Sequence, residues 1–439
     1  MGRSFLGAVL GLGLTTGLLH GALIGGAVAG LLTLVALRRD RSWWLRTVPL
    51  ALAGTSVLLM GTSQWIDAVK SWPDALPAEV WAWTGTGELA VVLAALGWRR
   101  RSWRLRVLSL GAALLTLVGA ADGINTVYDA YPTVATALQL PPQDSSGRLS
   151  SVTAPSGSRF AATENPLWGW RSSAGLPAHG AVFSVPIPAP HSHFAARPAW
   201  VYVPPAYLAP NAPRLPLLIL LGGQPGGPRD WLDGGGLAGR MDTWAAAHSG
   251  LAPVVVMPDD SGGEFANPLC MDSALGRVDT YLTADVLPWA VAQLHLDPDP
   301  RSVAVGGFSA GGTCALQLAT RHPGLFPTFF DASGQQAPTL GTRRQTVAAT
   351  FKGDDAAFLA VDPLAELARH RYPASAGYFV VGADDHYFRA QQRVVVRAAR
   401  ASGMTAVAVE PRGQHSFRLW GPALSGALPW LTTRMGLSP

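Results

Sequence analysis

A chain of 439 residues with only 14% charged residues and a mean hydropathy of +0.22 is not a uniformly soluble globule, for which about 25% charge is usual. Its net charge of +5 does not make it a nucleic-acid binder. The arginines gather at 38–46 and 99–106, at the ends of apolar runs, where positive charge sets membrane orientation. The two cysteines, Cys270 and Cys314, sit in no CxxC or Cys/His cluster, so the sequence offers no zinc pattern.

Four apolar runs fill the first third of the chain. The first, 5–37, exceeds the ~20 residues a spanning helix needs. It predicts a span over 17–37 preceded by an interfacial or partly inserted segment over 5–16. The others predict spans at 46–66, 78–98 and 105–125. A cleaved signal peptide does not fit, because its apolar core runs to only about 15 residues and three further runs follow. Arg38, Arg39, Arg41 and Arg46 separate runs one and two, and Arg99, Arg100, Arg101, Arg104 and Arg106 separate runs three and four. The intervening loop, with Asp67, Lys70, Asp74 and Glu79, has no positive excess. The positive-inside rule then puts both arginine loops in the cytoplasm and everything after the fourth run outside. Trp43, Trp44 and Trp65 are expected in the interfacial belt. The expected organisation is a transmembrane domain of about four helices over 1–128, a linker rich in Pro and Ser over 129–179, and a catalytic domain over 180–439.

Segments 181–188 and 198–204 read as a β-hairpin, the second rich in β-branched and aromatic residues before a proline stop. The tip between them carries His191-Ser192-His193, read as a surface pair rather than a metal site. Short apolar strands then alternate with helical stretches: 217–221, 253–257, 302–305, 378–381 and 405–409. Near-continuous apolar strands of this kind build a parallel-rich sheet covered by helices on both faces, and such sheets bind ligands at the carboxyl ends of their strands.

The third of these strands runs into Gly307-Phe308-Ser309-Ala310-Gly311, a G-x-S-x-G nucleophile elbow in the strand–turn–helix context the motif requires. The turn exposes the Ser309 hydroxyl at a helix N-terminus, where the dipole favours developing negative charge. A serine needs a base, and partners follow the elbow in the order acid, then histidine. Of the downstream histidines, His322 ends the nucleophile helix and His370 lies in an Arg-flanked helical stretch. His386 directly follows the candidate acids. His415, in a glycine-containing loop after the last strand, is the expected base. The acid follows the fourth strand in Gly382-Ala383-Asp384-Asp385. Either aspartate serves and Asp385 is favoured, while Asp354, Asp355 and Asp362 read as solvated or capping residues. The oxyanion hole needs two backbone N–H donors, expected from Ala310 and, in the glycine-rich loop after 217–221, from Gln224. That loop has no Walker pattern.

The segments "LLILLGGQ", "VVVMPDD", "VDTYLTADVLPWA", "VAVGGFSAGGTCALQLATRHPGLF" and "GQHSFRLW" resemble the esterase-D-like "putative esterase" branch of the α/β-hydrolases, which includes secreted mycolyltransferases, from about 180 to 432. The whole chain resembles multi-span actinobacterial-type membrane esterases. The resemblance implies an α/β-hydrolase fold behind an all-α transmembrane domain, Ser309 as nucleophile, His415 as base, and donors at Gln224 and Ala310. Two departures stand against mycolyl specificity: an Asp acid where the mycolyltransferases use Glu, and an anchor of several spans. An external, oxidising location permits a Cys270–Cys314 disulfide. The expectation is a membrane-anchored serine esterase on an ester, potentially a lipid ester, with no cofactor or metal. Acyl transfer through the same triad and a catalytically inactive scaffold stand as alternatives.

Overall fold

The computed structural model describes residues 2–37, 40–69, 74–98, 102–140, 167–172 and 175–437. Arg38, Arg39, Arg99, Arg100 and Arg101, and residues 141–166 and 173–174 of the expected linker, lie outside the described residues. The chain divides into two compact units, one reaching to Leu140 and one beyond it.

The first unit is helical. After α1 (Gly2–Leu10) come α2 (Gly17–Ala36), α3 (Val48–Val69), α4 (Ala78–Gly97) and α5 (Trp103–Tyr128). The last four helices are each long and apolar enough to cross a membrane, α3 together with the turn 43–47 that leads into it. They match the four runs expected from hydropathy. Small residues bring α2 and α5 together: a Cβ on Gly30 would meet the Ala112 carbonyl at 2.5 Å, and one on Gly119 the Leu23 carbonyl at 2.4 Å. Such close approach gains dispersion where lipid removes the hydrophobic drive between helices. The outward side carries the large apolar residues, with Leu18 94% and Leu114 62% exposed. Trp43 departs from expectation. It is buried, and its indole N–H donates to the Val35 carbonyl at 2.8 Å, because the polar end found an unpaired helix-end carbonyl. Trp44 and Trp65 stay exposed. Residues 129–140, expected to open the linker, pack on this unit: Asn125 brackets Tyr131 with two hydrogen bonds, and Leu14 N–H donates to the Pro132 carbonyl.

The second unit is an eight-stranded sheet: β1 (Ala181–Val185), β2 (Ala199–Val203), β3 (Leu217–Leu221), β4 (Val254–Met257), β5 (Val303–Phe308), β6 (Thr328–Ala332), β7 (Ala376–Val380) and β8 (Thr405–Val409), in spatial order β1-β2-β4-β3-β5-β6-β7-β8. The β1–β2 and β2–β4 pairs are antiparallel and all others parallel. The central strands β3, β4, β5 and β6 are buried along their whole length, which is why β3 and β4 read as unbroken apolar runs. Helix α6 (Ala310–Arg321) packs on β5 and β6, and α7 (His386–Ala401) on β8.

Two expectations change. The strand read as 302–305 continues through Gly306, Gly307 and Phe308, pairing Leu220 with Gly306 and Leu221 with Gly307. Glycine here does not stop the strand. It makes room, since a Cβ on Gly306 would lie 2.9 Å from Phe330 Cβ. Strand β6 was not anticipated, because Asp331 interrupts its apolar run. Its signal is the Thr-Phe-Phe triplet after Pro327, ended by Ser-Gly.

Candidate active site

The carboxyl ends of β3, β4, β5, β7 and β8 gather the chemistry at one edge of the sheet, as open α/β sheets do. β5 ends at Ser309, held at φ 53°, ψ −121°, a conformation that costs a non-glycine residue free energy and persists only where the surroundings enforce it. The surroundings are visible. Ser309 N–H donates to the Ala332 carbonyl at 2.8 Å. A Cβ on Gly307 would lie 2.3 Å from the Gly311 carbonyl carbon, and one on Gly311 2.3 Å from the Gly222 oxygen. The glycines two residues before and after the serine let strand, helix and the glycine-rich loop after β3 pass within contact distance.

His415 stands between β8 and helix α8 (Phe417–Arg434). Its Nε2 lies 3.0 Å from Ser309 Oγ and its Nδ1 2.9 Å from Asp385 Oδ2. A carboxylate at Nδ1 fixes the proton there and leaves the Nε2 lone pair facing the serine hydroxyl. The ring is stacked on Phe388 at 3.8 Å and meets Trp420 edge-on at 4.8 Å. Asp385 is buried and its other oxygen accepts the Phe388 N–H at 3.2 Å, capping α7. Asp384 is exposed and exchanges bonds with Gly413: its Oδ2 accepts the Gly413 N–H, and its own N–H donates to the Gly413 carbonyl, both at 3.1 Å. Of the two candidate aspartates, Asp385 meets the histidine and Asp384 holds the loop that carries it. Cys270 and Cys314 form a disulfide with Cα atoms 5.3 Å apart, tying the loop after β4 to α6. Gln224 and Ala310 line one pocket beside Gly223.

The model of the "Putative esterase" family matches residues 195–431. The chain belongs to this family. A protein of Corynebacterium glutamicum, itself uncharacterised, is 33% identical over 419 residues, 92% of this chain and 93% of that one. A Mycobacterium tuberculosis protein named an esterase is 32% identical over 87 residues, 20% of this chain and 19% of its own. The solved structure of a ferulic acid esterase superposes with a TM-score of 0.51 at 18% identity, over 58% of this chain and 99% of that one, which shows the α/β-hydrolase fold. The protein is thus a hydrolase of the esterase type.

This esterase also carries a clamp that the sequence reading missed. Arg197, between β1 and β2, donates to Asp259 through Nε at 3.0 Å and Nη2 at 2.8 Å, to Ser261 Oγ at 2.8 Å and to the Gly226 carbonyl at 2.9 Å. One guanidinium thereby joins the glycine-rich loop after β3 to the loop after β4. Burial works to raise Asp259, but its bonds to Arg197 outweigh it and hold the carboxyl below its ordinary range. The signal lay in "MPDD" directly after a core strand. Asp230 braces the same glycine-rich loop, accepting the Gly227 N–H at 2.9 Å, and burial pushes its carboxyl up to about 7.

The other histidines and aspartates weighed from the sequence stand outside the chain from Asp385 through His415 to Ser309. His322 meets Asp279 at 2.7 Å, His191 meets Asp285 at 2.8 Å, and His386 faces Arg389. His370 lies 3.7 Å from Glu366, too far for a hydrogen bond. Asp354 and Asp362 cap helices, and Asp355 pairs with Arg343.

Proposed function

We propose that the protein is a membrane-anchored serine esterase that cleaves a carboxylic ester through an acyl-enzyme on Ser309, with its catalytic domain on the extracytoplasmic side. The observation that carries this reading is the unbroken chain from Asp385 through His415 to the hydroxyl of Ser309 at a strained elbow.

Ser309 Oγ attacks the acyl carbon while His415 Nε2 takes its proton, and Asp385 stabilises the imidazolium. The N–H groups of Gln224 and Ala310 receive the oxyanion. Collapse expels the alcohol, which takes the proton from His415. Water, deprotonated by the same nitrogen, then attacks the acyl-enzyme and releases acid and serine.

The domain reading is a transmembrane region over 1–128, a linker over 129–179 and a catalytic domain over 180–439. The two arginine-rich loops support the sidedness. Anchorage keeps the site near a bilayer, which supports an ester on a membrane or envelope lipid. Fluorophosphonate labelling tests the core of the proposal. The wild type is labelled and Ser309→Ala is not, whereas persistent labelling of Ser309→Ala removes the assignment. A carboxyl-terminal reporter active only in the cytoplasm overturns the sidedness. Turnover of soluble and bilayer-presented esters at equal rates removes the lipid preference.

A further inference from the structure

Beside the reaction centre lies a pocket of about 30 Å³, room for a single ammonium- or hydroxyl-sized group. Its wall includes Ala310 and Gln224, the two residues assigned to the oxyanion, and none of Ser309, Asp385 and His415. The leaving alcohol must depart within reach of His415, so a pocket that meets the site through the oxyanion donors and not through the histidine suits the acyl part of the ester.

The lining is polar in a one-sided way. It holds a carboxyl, Asp260, and the carboxamides of Gln224, Asn267, Gln317 and Gln335, and no lysine, arginine or histidine. The cation nearest in the fold, Arg197, is paired with Asp259. Among the described residues Asp260 has no ion-pair partner, and burial, with the charge of Asp259 beside it, pushes its carboxyl up to about 8. The carboxamide oxygen and nitrogen of Gln224 are both shut off from solvent without a hydrogen-bond partner. Polar groups left in this way at a pocket wall are costly unless something arrives to satisfy them. A group rich in donors and carrying positive charge suits both: beside it the Asp260 carboxyl gives up its proton and forms an ion pair, and it donates to the Gln224 oxygen.

Building on the Ser309 esterase reading, we propose that this pocket is an acyl subsite for a small ammonium-bearing acyl group, with Asp260 and Gln224 as its specificity-determining residues, so that the preferred substrates are aminoacyl esters.

The test is a matched series of 2-naphthyl esters, alanyl, lactoyl and propionyl, turned over by the detergent-solubilised full chain, with each kcat/KM divided by the rate of hydroxide hydrolysis of the same ester. That normalisation removes the intrinsic activation an ammonium gives its ester. The expected order is alanyl, then lactoyl, then propionyl, and Asp260→Asn lowers the alanyl-to-propionyl ratio by about tenfold or more, the scale of one charged hydrogen bond. A wild type that turns over propionyl as well as alanyl overturns the proposal, as does an unchanged ratio in Asp260→Asn. Should Asp260→Asn fail to fold, Gln224→Leu and the wild-type order decide. Turnover that survives Ser309→Ala sinks the esterase reading itself. Serine-dependent turnover without ammonium preference sinks only the subsite.

Discussion

The two units of this chain spend the same residues in opposite ways. In the helical unit many large apolar residues face outward while small ones make the tightest helix contact, with Leu18 and Leu114 exposed and Gly30 and Gly119 at the α2–α5 contact. In the catalytic unit Leu217, Leu218, Ile219, Leu220 and Leu221 are buried, and polar groups crowd the strand ends. The difference teaches that apolar content alone does not describe a core. What counts is the medium each surface meets, water for the catalytic unit and, on the proposed membrane reading, hydrocarbon for the helical one.

The sharpest probe of the catalytic side is its acid. Asp385→Asn reverses the tautomer preference of His415 and lowers kcat by about 10²–10⁴, while Asp384→Asn, which touches only the loop, stays within about tenfold. Steady-state rates on any turned-over ester measure both, and equal losses would reassign the acid.

Truncation then compares the two units directly. Leu218→Ala opens a cavity in β3 and costs about 2–5 kcal/mol. Leu114→Ala, on the exposed side of α5, costs less than about 1 kcal/mol. Thermal unfolding of the full chain in detergent measures each, and similar losses would break the contrast. Replacing Cys270 and Cys314 together by serine frees a 44-residue separation and lowers stability by about 2–4 kcal/mol, read from the same melts.

The last comparison is electrostatic and shows only at high pH. Asp331 in β6 is fully buried, and burial pushes its carboxyl from 3.8 up to about 7. The folded state therefore holds this proton more tightly than the unfolded chain. Its stability falls as pH rises from the unfolded value through 7 and is flat beyond. Asp331→Asn cannot ionise. It should melt several degrees or more above the wild type at pH 8 and level with it near pH 4. A gap independent of pH would mean that the carboxylate is not what costs.

Much of this was legible in the sequence because the governing physics is local. The elbow needs glycines two residues either side of Ser309, the spans need length and apolarity, and the acid and base must follow strands. What was not legible depends on partners distant in sequence. Arg197 and Asp259 lie 62 residues apart and neither announces the other. Trp43 looked interfacial until Val35 offered a carbonyl. β6 hid behind Asp331, a residue whose burial no strand pattern predicts. The choice between Asp384 and Asp385 turned on one residue of register at the start of α7.

That register has a consequence for how the enzyme can change. The bonds between Asp384 and Gly413 splice the loop bearing the base to the strand end bearing the acid, and a Cβ on Gly382 would lie 2.1 Å from the Gly413 oxygen. The loop carrying His415 and the turn carrying Asp385 are thereby fixed to each other. Insertions that lengthen the 410–416 loop would disturb both partners proposed for Ser309, whereas the pocket wall at 266–268 lies outside the Arg197 clamp, so new acyl preferences should arise there first.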